Sequence, residues 1–218
     1  MKQKICFLVL AVFISQQTFG ADSFFSIAKG TSSGSEDVAL PASYQDSFDH
    51  EMSGQAAAFT YGSFEGGGWG WVVGYQSYYI EGKASENSRL SGLTFNDTLE
   101  SSLSLVGPQI GFGYLFDGFI RFVPQVRLGI SNQMTAKRKL TTNINNLVSI
   151  SFKETNTSKS NVMFFVFPVE MTLGKSISVG VEYHYFNTNF EIAEDTLFGD
   201  SSLFIFSSAT LVSLNYLF

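Results

Sequence analysis

Thr210-Leu-Val-Ser-Leu-Asn-Tyr-Leu-Phe218 carries apolar or aromatic residues at Val212, Leu214, Tyr216 and Phe218, with Ser213 and Asn215 between them. A period of two is the mark of a strand with one greasy face and one polar face. The stretch therefore predicts a half-buried β-strand running to the terminal aromatic.

The same alternation recurs upstream and predicts eight strands, near 23–32, 55–64, 69–82, 99–115, 119–136, 159–173, 177–190 and 201–218. Their connections fall into two classes. Glu65-Gly-Gly-Gly68, Phe116-Asp-Gly118 and Gly174-Lys-Ser176 are tight turns. The others are long and polar: an acidic stretch through Ser35-Glu-Asp to Glu51, then 83–97, then a stretch after Lys137-Arg-Lys139, then 191–200. The third of these has room for strand extensions around 147–152. Short turns alternating with long loops fit a transmembrane barrel whose turns face the periplasm and whose loops face outward. An even strand count leaves both ends of the chain on the periplasmic side.

Composition agrees. Twenty-three Phe, nine Tyr and twenty Gly against four Pro suit strands and turns better than helices. The start, Lys2 and Lys4 followed by an apolar run from Ile5 to Ile14 and small residues at Thr18 and Gly20, predicts a signal peptide over 1–20. That run is far short of the roughly 20 residues a spanning helix needs. The mature domain is then 21–218, one all-β unit. Its membrane passage has to be a closed barrel, because in lipid only helices and closed barrels satisfy every backbone group.

Loss of Lys2 and Lys4 with the signal takes the formal charge from −6 to −8. An acidic balance disfavours nucleic acid as a partner, and none is expected. Cys6, the sole cysteine, lies in the signal, so the mature chain has neither a disulfide nor a cysteine-based zinc site. Two isolated histidines and no Asp-rich calcium loop leave no metal-ligand spacing, and no cofactor is expected. The Gly-rich stretch at 65–70 lacks the Lys-Ser/Thr of a phosphate loop and reads as a turn.

A three-residue turn at Phe116-Asp-Gly118, with Gly118 at positive φ, pairs Leu115 with Phe119, Phe112 with Phe122 and Ile110 with Pro124 on one face. It sets Gly113 opposite Arg121, Gln109 opposite Gln125 and Gly107 opposite Arg127 on the other. The turn at 174–176 opposes Met171 with Val179 and Val169 with Val181, and turns Glu170, Glu182 and His184 the other way. An eight-stranded barrel is only wide enough for its side chains to fill. The lumen is thus expected to hold Arg121, Arg127, Gln109, Gln125, Glu170, Glu182 and His184, with the two arginines meeting the two glutamates, since buried charges persist only when paired. Trp69, Trp71, Tyr79, Tyr114 and Tyr216 fall where membrane interfaces are expected.

His184 is the best single residue for acid–base work, but alternation points it inward and no serine sits two positions on. His50 falls in the first long loop. Nothing positions a catalytic triad, so no enzymatic activity is expected. Lys137-Arg-Lys139 suits lipopolysaccharide phosphates at the outer rim, and an ordinary solvated loop cluster accounts for it as well.

A signal peptide, eight alternating segments, the phrase Val179-Gly-Val-Glu-Tyr-His-Tyr185 and the closing Val212–Phe218 together resemble the outer-membrane protein β-barrel domain family, which includes the OmpA membrane domain and OmpX-like and OmpW-like proteins. The resemblance implies an eight-stranded antiparallel up-and-down barrel, monomeric or weakly associating, in a Gram-negative outer membrane. It also implies that Tyr216 and Phe218 form the signal read by the barrel-insertion machinery. The partners it implies are outer-membrane lipid, lipopolysaccharide and an extracellular ligand of the loops. No catalytic residue carries over. Unlike in OmpA, no periplasmic domain is expected after the last strand. The expected role is structural or surface-interacting; a narrow channel or small-molecule carrier and a lipid A-modifying enzyme are the alternatives.

Overall fold

A computed structural model describes residues 21–38, 48–66, 68–192 and 202–218. The signal peptide expected over 1–20 and most of the fourth loop lie outside these residues. Nine strands appear: β1 Ala21–Val38, β2 Phe48–Glu65, β3 Trp69–Leu90, β4 Leu93–Tyr114, β5 Ile120–Phe122, β6 Gln125–Ile144, β7 Val148–Leu173, β8 Ile177–Ile192 and β9 Ser202–Leu217. Each pairs antiparallel with its neighbours. Pairing of β7 with β8 and of β1 with β9 closes the ring. β5 and β6 form one stave, broken where Val123-Pro124 interrupts the ladder: proline has no N–H to donate. The eight staves make an up-and-down barrel.

The seam joins the two ends of the described chain. Ser23 N donates to Phe218 O at 3.1 Å and Phe218 N to Ser23 O at 3.0 Å, and Phe24 stands opposite Leu217.

Alternation sorts the faces. Phe112, Ile110, Leu128, Phe165, Val169, Val181, Val212 and Leu214 point out and are exposed, forming a greasy belt that only lipid covers favourably. Trp69 and Tyr114 meet edge to face at 5.3 Å at the turn end of that belt, and Phe25, Tyr61, Tyr216 and Phe218 cluster beside the seam.

Three expectations need correction. Residues 83–97 are not a loop: β3 and β4 stay paired up to Leu90 opposite Leu93, around a two-residue turn at Ser91 and Gly92 with φ of 52° and 81°. That is the left-handed twist a tight hairpin requires. β6 and β7 likewise extend to Ile144 opposite Val148, with Asn145 and Asn146 at positive φ. The outer ends are therefore regular sheet rising above the belt.

Second, the β4 hairpin register is four residues longer than expected. Phe116 bridges Phe122, Gly113 faces Gln125, Gly111 faces Arg127 and Gln109 faces Gly129, and Gly118 is not among the positive-φ glycines. The wide turn frees Ile120–Phe122 to pair with Met171, Glu170 and Val169 of β7. An even slip leaves every side chain on its expected face. The turn at 174–176 has the expected register, with Gly174 at φ 78°.

Third, His50 is not in a loop. It lies on β2 opposite Glu36 and points into the barrel.

Candidate functional site

The interior is stacked in layers. At the periplasmic end Phe24, Phe64, Val72, Leu115 and Val123 pack together with Leu217 against them. A polar layer follows, and above it an apolar core that includes Leu103, Leu105, Phe164, Phe186, Phe204 and Phe206, each fully buried. Packed aromatics such as Phe164 and Phe186, tilted against each other with centroids 5.0 Å apart, fill the bore.

All seven residues expected in the lumen are there and buried: Gln109, Arg121, Gln125, Arg127, Glu170, Glu182 and His184. Arg121 Nη1 lies 3.9 Å from Glu170 Oε2, and its Nε lies 3.8 Å from Asp117 at the periplasmic mouth. Glu170 also accepts a 2.9 Å bond from Ser178, which in turn accepts from Asn215. Arg127 does not ion-pair with Glu182. Its Nε donates to Gln125 at 2.7 Å and its Nη1 to Thr60 at 3.2 Å. The stem of Arg127 lies over Gly111, where an added Cβ would fall 2.9 Å from its Cγ and closer still to the Val126 carbonyl, so a bare backbone there lets the strands and the stem approach.

Glu182 instead joins a chain of side chains. Ser26 Oγ donates to its Oε1 at 3.0 Å, His184 Nε2 sits 3.0 Å from its Oε2, and His184 Nδ1 lies 2.6 Å from the Tyr78 hydroxyl. With Nε2–H toward the carboxylate, Nδ1 is the nearer acceptor for the Tyr78 hydroxyl, which also lies 3.2 Å from Gln76 Oε1. Such a chain has the parts of a proton relay, but His184 and Tyr78 are both at zero exposure under packed aromatics. It is a buried hydrogen-bonded network across the bore.

Sequence reasoning missed Tyr78, Ser26, Ser178 and Asn215 as partners. Their inward parity was readable, but which strand's residues meet across the bore was not. It also missed a second ion pair higher up: Arg138 Nε donates to Glu36 Oε1 at 2.6 Å, with His50 Nε2 3.6 Å from Glu36 Oε2. The Arg138 guanidinium lies 4.9 Å over the Phe204 ring, where the face of the π system attracts it. Arg138 belongs to the basic triplet expected in a loop; in β6 it points in while Lys137 and Lys139 point out. Tyr216 and Phe218 are on the outer face, both exposed. No group of three metal-binding side chains occurs among the described residues.

On the outer wall above the belt, β3, β4, β6 and β7 bring Lys83, Glu100, Lys139 and Lys153 into one cross-strand row. Lys139 Nζ lies 2.9 Å and Lys83 Nζ 3.6 Å from Glu100. The hydrogen bond and charge of Lys139 hold the Glu100 carboxyl below its ordinary range. Lys137 sits one row lower, and an open groove of about 530 Å³ runs between these side chains. At the periplasmic mouth a smaller recess of about 210 Å³ is lined by Asp117, Arg121 and Lys175 among others.

No family model matches the chain, nor does any curated protein. Solved structures do. The outer-membrane protease OmpT of Escherichia coli aligns over 92% of this chain and 98% of its own at 8% identity, TM-score 0.51. The outer-membrane protein OprG of Pseudomonas aeruginosa aligns over 90% and 96% at 12% identity, TM-score 0.47. Ail of Yersinia pestis, solved with a heparin analogue, aligns over 91% and 99% at 11% identity, TM-score 0.32. At such identities the likeness is one of fold: a closed antiparallel barrel of the bacterial outer-membrane type.

Proposed function

We propose that this chain is a Gram-negative outer-membrane barrel with a structural and surface-interacting role, exposing its outer strands to outer-leaflet lipid, lipopolysaccharide and extracellular ligands. The observation that carries this is the filled bore. A core of buried phenylalanines and leucines lies across the axis above the polar layer, while β3, β4, β6 and β7 rise beyond the belt as ordered sheet. Among the described residues these side chains lie across the bore, which supports recognition at the outer surface over passage through the interior.

The test is outer-membrane fractionation, heat-dependent gel mobility and planar-bilayer conductance. Location in the outer membrane, a shift between unboiled and boiled samples, and conductance no greater than leak are expected. Conductance above leak that survives removal of the outer hairpins would favour a channel. A non-catalytic role is supported by the inward aim of His184 and His50, neither of which reaches the lipid-facing rim. Lipid A mass spectra from a deletion strain should match the parent.

A further inference from the structure

Five of the seven lysines beyond residue 20 stand on one wall: Lys83 on β3, Lys137 and Lys139 on β6, Lys153 and Lys159 on β7. Only Glu81 and Glu100 oppose them on the outer face there. The facing wall is of the other sign, with Asp37, Glu51 and Glu191 exposed above the belt. A chain of net negative charge has therefore gathered its cations on one side.

The row is also under-neutralised. Lys139 stands directly opposite Lys153, and like charges in that position destabilise a sheet unless something lies between them. Glu100 bridges Lys83 and Lys139, but Lys137 and Lys153 have no ion-pair partner among the described residues. The groove between them is open and cationic.

Height selects the occupant. Met163 is the last apolar outward residue of β7, and Lys159 and Lys153 lie four and ten residues beyond it. At about 3.3 Å per residue and a tilt near 40° these are roughly 10 and 25 Å along the membrane normal. A simple phospholipid headgroup layer is only about 5–8 Å thick. It ends below most of the cluster, whereas a phosphorylated saccharide headgroup spans that range.

We propose that the Lys83–Lys137–Lys139–Lys153 groove is a binding site for the phosphorylated saccharide headgroup of lipopolysaccharide. Lys137 and Lys153 take a phosphate, Lys159 steadies the headgroup nearer the hydrocarbon edge, and Glu100 limits affinity by holding Lys83 and Lys139. This rests on the reading of the chain as an outer-membrane barrel with its outer strands in the lipopolysaccharide leaflet.

The test titrates the folded full-length mature barrel, in zwitterionic detergent, with fluorophore-labelled lipopolysaccharide. Dephosphorylated lipopolysaccharide and phosphatidylglycerol serve as competitors. Intact lipopolysaccharide should compete at least tenfold better than either. K83Q/K137Q/K139Q/K153Q should weaken binding at least tenfold, and K137Q/K153Q, a milder change, severalfold. E100Q should tighten it severalfold, and D37N/E51Q/E191Q on the facing wall should leave it within twofold. Equal binding by the quadruple or the double variant overturns the proposal, as does equal competition by the dephosphorylated lipid or by phosphatidylglycerol. Heat-dependent gel mobility reports folding of each variant. A barrel that shifts on the gel and fractionates with the outer membrane but ignores the phosphates defeats this proposal alone; loss of the shift or of the location defeats the membrane reading itself.

Discussion

Charges inside the barrel and charges on its outer wall obey opposite rules at the same height. Lys137, Arg138 and Lys139 are consecutive, yet Arg138 is buried against Glu36 and Phe204 while the lysines stand in solvent around Glu100. Strand alternation alone makes the division. Inside, a charge has left water and survives only with its partner. Outside, Lys139 gains little from Glu100 because water screens both. The inner ions therefore depend on one another, whereas the outer ones can exchange partners with solvent.

Mutations should break this contrast unequally. Glu36→Ala removes the carboxylate nearest the buried Arg138 guanidinium and should lower the unfolding free energy by about 3–5 kcal/mol, read from urea titration of the folded barrel. Glu182→Gln keeps the shape but weakens the contacts to Ser26 and His184. A loss of about 1–3 kcal/mol is expected by the same measurement. Lys139→Ala, one position from Arg138, should cost no more than about 1 kcal/mol. A loss as large as that of Glu36→Ala would show that the outer row is structural.

Glu100→Gln should have the smallest effect on stability, and its signature is in pH. Because Lys139 lowers the folded-state pKa of Glu100, its ion pair is complete above the ordinary carboxylate range and is lost only as pH falls through the lowered value. Below it the row gains positive charge. Anion binding by the parent should then rise toward that of the E100Q variant, whose own binding stays flat over the same interval.

Where one face was greasy and the other polar, the sequence could be read. In 107–115, 119–127 and 177–185 the parity of every lumen residue was correct, even though the turn at Gly118 misled about register, because a four-residue slip conserves parity. Above the belt the signal vanished. Residues 85–89 and 153–160 are polar on both faces, as a sheet standing in water can be, and so look like loops. The apolar layer was hidden for the converse reason: in Val162-Met-Phe-Phe-Val-Phe167 both faces are apolar, so Phe164 facing the bore and Phe165 facing lipid look alike. Partners across the bore, such as Tyr78 with His184, depend on how the ring curves, which no single strand records.

The seam between β1 and β9 has a consequence for assembly. Every other stave pairs with its neighbour in sequence, so most of the wall can form from local hairpins. The seam alone brings together residues as far apart as Ser23 and Phe218. Its loop-closure entropy falls on a single late step. Until then two unsatisfied strand edges are open to any other β-strand, and the last event in the birth of this barrel is also the one most easily intercepted.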